Sequence, residues 1–330
     1  MKIRTIAIEE HFSTPHLWEE LSELKPAQGE LNIKLDLKSR PTVSKKLFDL
    51  GEGRLADMDA SGIDMQVLQL SGPSFDGLDK DNEAAVVRES NDLLAGVISK
   101  HPDRFAGFAQ LNLGDPEGAA AELERCVTKL GLVGGVWSGK SKGHYLDHPS
   151  FQPVWAVAEK LDVPIYLHPG YPSQELAKAL YSDLPDGIVG TLARAGWGWH
   201  MENGFHSLRL VLSGLFDRFP KLQFIIGHMG EGIPFSLARA NTWLTPLAKH
   251  LNRSIEEYYL TNFHITTSGF FSLPTLLCAI MVFGVDRVIF SVDYPYSSNE
   301  EGRRFLDAIP LSHEDLEKIS YKNAERLLKL

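Results

Sequence analysis

The chain has 330 residues, of which 43% are hydrophobic and 23% charged, and a formal net charge of −10. That length suits one large α/β domain with a sizeable core, and the acidity gives a nucleic-acid role no electrostatic support. No apolar run is long enough to span a bilayer; TLLCAIMVFGV, the most apolar stretch, reads as a core helix. The leading MKIRTIAIEEHF lacks a signal-peptide apolar region, and the two cysteines, Cys126 and Cys278, sit in helical patterns. Together they suit packing roles in a reducing, cytoplasmic setting.

In chain order, strand-like runs fall at Ile3–Ile8, Ile63–Leu70, Phe105–Leu111, Leu132–Trp137, Val163–Leu167, Gln223–Ile226, Phe263–Thr266 and Arg287–Val292. Helical patterns follow most of them, at Asn82–Lys100, Pro116–Leu130, Phe151–Leu161, Gly204–Phe216, Gly232–Leu244, Leu273–Phe283 and Glu300–Ile309. Alternating strands and helices predict a parallel sheet, and eight of them predict an α/β fold of the (β/α)8 barrel type, one domain over residues 1–330. Two stretches break the alternation. Residues 15–50 read as an insertion after the first strand, a place for a lid. Residues 169–204, rich in Gly, Trp and Tyr, read as a second long connection walling the site. The tail opens with Ser312 as a helix cap and Asp315 three residues on, and predicts terminal helices.

The chemistry gathers where apolar runs end. Glu9 and His11 follow IRTIAI, His168 follows DVPIYL, His228 follows LQFIIG and Asp293 follows RVIFSV. In an extended chain Glu9 and His11 share one face and Glu10 takes the other. Each residue alone has a structural reading: a solvated strand end for Glu9 and His11, a satisfied core histidine for His168 and His228, a helix cap for Asp293. Metal-type residues at four separate strand ends argue against coincidence, because parallel barrel strands deliver their C-terminal side chains to one rim. Two carboxylates with two or three imidazoles suit one divalent ion, Zn or Mn, with an open position. Glu231, three residues past His228, buttresses the imidazole or caps a helix. Arg239 reads as a surface salt-bridging residue or as a carboxylate clamp. Trp197, Trp199, His200 and His206 line an aromatic pocket or simply pack. There is no G-x-S-x-G elbow, P-loop or dinucleotide fingerprint.

The Glu-x-His pair, the YLHP segment, FDRFPKLQFIIGHMGE and FSVDYPY, with RLADMDASGID, KHPDRFAGFA and NAERLLKL, resemble the decarboxylases of the amidohydrolase superfamily. That group includes γ-resorcylate, 2,3-dihydroxybenzoate, salicylate and 5-carboxyvanillate decarboxylases and, more distantly, aminocarboxymuconate semialdehyde decarboxylase. The resemblance covers nearly the whole chain. It implies a distorted barrel in which Glu9, His11, His168 and Asp293 hold one Zn or Mn, with no organic cofactor. By the same resemblance His228 and Glu231 are the catalytic pair, Arg239 closes the site or the subunit contact, and the assembly is a homodimer or homotetramer. Relatives often carry asparagine in a V-N-G-like turn after the fourth strand, where this chain has Val136-Trp137-Ser138-Gly139.

The resemblance implies a non-oxidative decarboxylase of a small hydroxylated aromatic acid, with Asp293 donating a proton to the ring carbon and Trp197 and Arg239 lining the substrate. A metal-dependent hydrolase or hydratase acting through an activated water shares the same ligands and is the second expectation. A non-catalytic barrel, the third, does not account for the complete ligand set.

Overall fold

The computed structural model describes residues 3–18, 36–71 and 78–330. All its strands are parallel. One sheet runs β1 (Ile6–Phe12), β2 (Met65–Leu70), β3 (Phe105–Gly107). The other runs β4 (Ala109–Gln110), β5 (Gly135–Ser138), β6 (Ile165–His168), β7 (Phe224–Ile226), β8 (Phe263–Thr266), β9 (Val288–Ile289). β3 and β4 are one run that changes partner at Phe108, whose N–H bonds Leu68 O (2.9 Å) while Ala109 N–H bonds Gly134 O (2.8 Å). The predicted strand Phe105–Leu111 is therefore present but shared between the sheets. His11 N–H bonds Tyr294 O (2.6 Å), which brings the last strand's exit back to the first. Eight strand positions thus form a distorted (β/α)8 barrel.

Two apolar layers explain why the runs are apolar on both faces. Ile6, Ile8, Val67, Phe108, Val136, Tyr166, Ile225 and Ile289 fill the barrel, plugged by Ala324 and Leu328 of the terminal helix. Leu68, Leu111, Leu123, Trp155, Leu210 and Phe263 belong to the layer between strands and helices. The predicted helices Pro116–Leu130 and Leu273–Phe283 form as read, with proline in the first turn of each. Ser312 caps its helix by accepting from Asp315 N–H (3.1 Å).

Several expectations change. The first strand extends beyond Ile8 through Phe12. The last shrinks to Val288–Ile289 because other partners take over its ladder. Phe290 N–H goes to Ile319 O, Ser291 N–H to Thr267 Oγ1 and Val292 N–H to Glu10 Oε1. The connection 169–204 is largely helical, with Gln174–Tyr181 and Asp186–Ala193 packing on each other through Ala177, Tyr181, Val189 and Ala193. The expected helix at 204 begins earlier, spans Gly198–Leu212 and stops at Gly214, where φ is +71°. Of the expected insertion 15–50, residues 19–35 lie outside the described residues; Pro41–Leu47 is a helix that buries Leu47 beside Trp18 and Leu37. No helix among the described residues is long and apolar enough to cross a membrane.

Two buried histidines away from the strand-end cluster set a pH limit. His206 accepts from Leu146 N–H (2.9 Å), and burial, with Arg209 and Lys140 nearby, pushes it down to about 3. His264, in register with barrel-facing Ile225, is pushed down to about 3 by burial and by Arg287 and Arg326. Both stay neutral in the folded chain and protonate near 6.5 when unfolded, so their stabilisation is present above 6.5 and is lost as pH falls towards 3. Each should contribute up to about 1.4 kcal/mol per pH unit in that window. Urea midpoints of His206→Gln should therefore fall less steeply between pH 6 and 4 than those of the parent, and equal slopes would remove His206 from the account.

Candidate metal centre at the barrel rim

A bulge in β1 puts the ligand-type residues where they are. Ile6 and Ala7 face Met65 and Gln66, but Glu10 faces Leu68, so one extra residue is inserted. Plain alternation from Ile6 and Ile8, which point into the barrel, would send Glu9 outward with Ala7. The inserted residue reverses the phase, and Glu9 and His11 face inward while Glu10 faces away. Glu10 instead accepts from Val292 N–H (2.8 Å), Tyr294 N–H (3.0 Å) and Ser291 Oγ (3.0 Å), and burial pushes it up to about 8. It fastens β1 to the segment that carries Asp293.

Glu9 is fully buried. One carboxylate oxygen, Oε2, accepts from Tyr166 Oη, Ser268 Oγ and Thr266 Oγ1 (3.0 Å for the last). The other, Oε1, has no hydrogen-bond partner among the described residues and lies 3.5 Å from His168 Nε2 and 3.6 Å from His228 Nε2. His168 Nδ1 donates to Pro169 O (2.8 Å), which fixes the tautomer and leaves the Nε2 lone pair facing Glu9. Burial, with His11 and His228 close by, pushes this imidazole down to about 3, so it stays neutral. Ser138, expected in a turn, is instead the last residue of β5 and reaches His168 Nδ1 at 3.3 Å, while Trp137 packs outward and donates to Lys140 O.

His11 Nε2 lies 3.0 Å from Asp293 Oδ1, yet neither His11 nitrogen makes an aligned hydrogen bond although the ring is buried. Glu9, His11 and Asp293 offer three donor atoms all within 4.8 Å of one another, as do Glu9, His168 and His228. A buried carboxylate oxygen and imidazole nitrogens without partners, converging on one space, are what a divalent cation would satisfy. The donor set therefore fits a metal, which Glu9 with His11 and Asp293, or Glu9 with His168 and His228, could hold.

Beside this set, Glu231 is a hub. It accepts from His228 Nδ1 (2.8 Å), His200 Nδ1 (2.7 Å) and Asn203 Nδ2 (3.2 Å). Burial alone would raise Glu231, but His228 and His200 outweigh it and hold the carboxyl down at about 2. Burial would likewise lower His228, but Glu231 and Glu9 raise it to about 10, giving an imidazolium–carboxylate pair. The loop that presents it is strained: residues 228–232 all have positive φ, including the non-glycines His228, Met229 and Glu231. Each such non-glycine costs of order 1 kcal/mol. The sequence gives little weight to His200, whose ring meets His228 only because a helix starts at Gly198. Trp199, not Trp197, reaches His168 (ring centroids 6.4 Å apart); Trp197 is 58% exposed. Arg239 is exposed and stacks on Trp243 (4.9 Å) on the outer face of the helix Ile233–Leu244.

Gly227 gives a direct test of this packing. A Cβ there would stand 2.6 Å from Glu9 Oε2 and 3.0 Å from Oε1. Gly227→Ala should displace Glu9 and lower Mn or Zn affinity by about tenfold or more, as measured by chelator competition, with circular dichroism unchanged. Undiminished affinity would show that Glu9 does not hold the ion.

Residues 16–330 match the amidohydrolase family. The chain is 37% identical over 336 residues to a gamma-resorcylate decarboxylase of Rhizobium sp., covering 98% of each. A 5-carboxyvanillate decarboxylase from Sphingomonas paucimobilis superposes with a TM-score of 0.91 at 32% identity, covering 99% of each chain. A dihydroxybenzoic acid decarboxylase from Polaromonas sp., with bound manganese and the inhibitor 2-nitroresorcinol, superposes at 0.88 with 36% identity, covering 99% of this chain and 97% of the other. A barrel whose strand ends converge as these do, and whose relatives match along nearly their full length, belongs to the amidohydrolase family, on the branch of gamma-resorcylate decarboxylase.

Proposed function

We propose that this protein is a metal-dependent, non-oxidative decarboxylase of a hydroxylated aromatic carboxylic acid of the γ-resorcylate, 2,3-dihydroxybenzoate, salicylate or 5-carboxyvanillate type. The observation that carries this reading is the convergence of Glu9 Oε1, His11, His168 Nε2 and Asp293 beside the Glu231-held His228. One divalent ion per subunit, Mn or Zn, would supply positive charge that draws electrons from the carboxylate and ortho-hydroxyl oxygens of the acid. No organic cofactor is needed for the rest.

Asp293 sits at the rim, 16% exposed, with its backbone in the left-handed region at φ +71°. In this reading it passes a proton to the ring carbon bearing the carboxylate. The carbon–carbon bond electrons then return to the ring, CO2 leaves, and solvent restores the proton to Asp293. His228, an N–H donor oriented by Glu231 and, through it, by His200, steadies the ring hydroxyl. Trp199 and Tyr296 flank His168 and His11 and give the ring an aromatic wall.

The exposed face around Arg239 supports a homodimer or homotetramer. Phe235 is 89% and Met281 86% exposed, on helices that pack against each other, and Trp243 and Leu247 are exposed as well. Within this reading Arg239 and Trp197 would meet substrate only near a subunit contact. Free Cys126 and Cys278 suit a cytoplasmic enzyme.

The Mn-loaded protein should release CO2 from at least one of 2,6-dihydroxybenzoate, 2,3-dihydroxybenzoate, salicylate and 5-carboxyvanillate. His228→Ala should lower kcat by about 100-fold or more with the fold retained. Absence of CO2 from all four acids, together with cleavage of a lactone, would replace this reading with the hydrolase.

A further inference from the structure

Gln69 is a buried amide with nothing to bind. Its exposure is 0%, and among the described residues neither Oε1 nor Nε2 has a hydrogen-bond partner. It is the register partner of His11 across the β1–β2 ladder. Val67, two residues earlier, packs inside the barrel, whereas Leu68 and Leu70 belong to the outer layer. Alternation therefore sends the Gln69 amide into the barrel mouth, at the level of His11. Ser71, one step above Gln69, meets Tyr296 Oη at 2.8 Å, and Tyr296 packs edge-on against His11.

Leaving both atoms of a buried amide unpaired costs free energy that a leucine of similar size would not incur. The amide is neutral and offers one acceptor and one donor. A carboxylate could use only the donor and would face Oε1 unfavourably. A hydroxyl can donate to Oε1 or accept from Nε2. We infer that Gln69 is a specificity-determining residue that binds a second phenolic hydroxyl of the aromatic acid, on the His11 side of the centre. The inference rests on the aromatic-acid reading of the site, and it selects dihydroxylated acids over salicylate.

The test uses the Mn-loaded full chain and Gln69→Leu, with Gln69→Met as the length-matched control. Salicylate, 2,3-dihydroxybenzoate and 2,6-dihydroxybenzoate are titrated by stopped-flow quenching of tryptophan fluorescence, which reads Kd within the first turnover. The parent should bind the better dihydroxy acid about tenfold more tightly than salicylate, and both variants should lose at least about fivefold of that ratio. Their Tm should equal or exceed that of the parent, because an unpaired amide has been replaced by an apolar group. A parent with no preference, a ratio retained in the variants, or a Tm that falls in both would overturn the inference. Absence of CO2 from every acid would overturn the decarboxylase reading alone, since the ratio of dissociation constants still decides the role of Gln69.

Discussion

The rim depends on how one buried carboxylate is compensated. Glu9 has no access to water, and a charge in that position persists only if protein groups replace its hydration. Tyr166, Thr266 and Ser268 do so from β6, β8 and the loop after β8, all on Oε2. Because three donors crowd one oxygen, the other is left bare and fixed in direction. Tyr166 is a core residue whose ring fills the barrel and whose hydroxyl ends at Glu9. The packed interior thus sets the position of the ligand-type oxygen, and a change in the core would be felt at the rim. Glu10 completes the arrangement from the opposite face, tying β1 to the backbone before and after Asp293.

Much of this was legible in the sequence because barrel strands and their helices differ in period, and because parallel strands buried on both faces read as unbroken apolar runs. The proline at 116 marked a helix start, and the polar residues ending IAIEEHF, IYLH, IIGH and FSVD marked the rim. The bulge at Ile8–Glu9 was not legible. Simple alternation does place Glu9 with His11, but it also places them opposite Ile6 and Ile8, and only an inserted residue brings all four inside. The shortening of β9 was hidden too, since a side chain, Glu10, and a distant backbone carbonyl, Ile319, replace strand partners there. His200 was underweighted for a similar reason. Its partner Glu231 is distant in sequence, and the helix that delivers it starts inside a stretch whose glycines and aromatics read as loop.

Arg239 shows a different limit. Its helix was correctly expected, and its position eight residues past Glu231 invited a role near the site. The helix turns that residue outward, onto Trp243, within an apolar surface that the single chain leaves uncovered. Sequence spacing along a helix sets which face a residue occupies, but not whether that face meets the barrel or another subunit.

The distribution of unpaired polar atoms follows from the same economy of burial. A protein interior ordinarily leaves few such atoms, since each costs about 1–3 kcal/mol. Here Glu9 Oε1, both nitrogens of His11 and both amide atoms of Gln69 lie at one end of the barrel, alongside the left-handed run at residues 228–232. At the other end His264 Nδ1 and Asn323 Oδ1 are also unpaired, but burial favours the neutral form of His264 and the plug there is apolar. The rim differs from the rest in that its unpaired atoms adjoin a strained left-handed run and carboxylate and imidazole groups, while the apolar plug beneath supplies stability. The groups left unsatisfied are those able to bind a cation or an oxygen-bearing ligand, and so a folded chain can remain stable while its rim is held ready to bind.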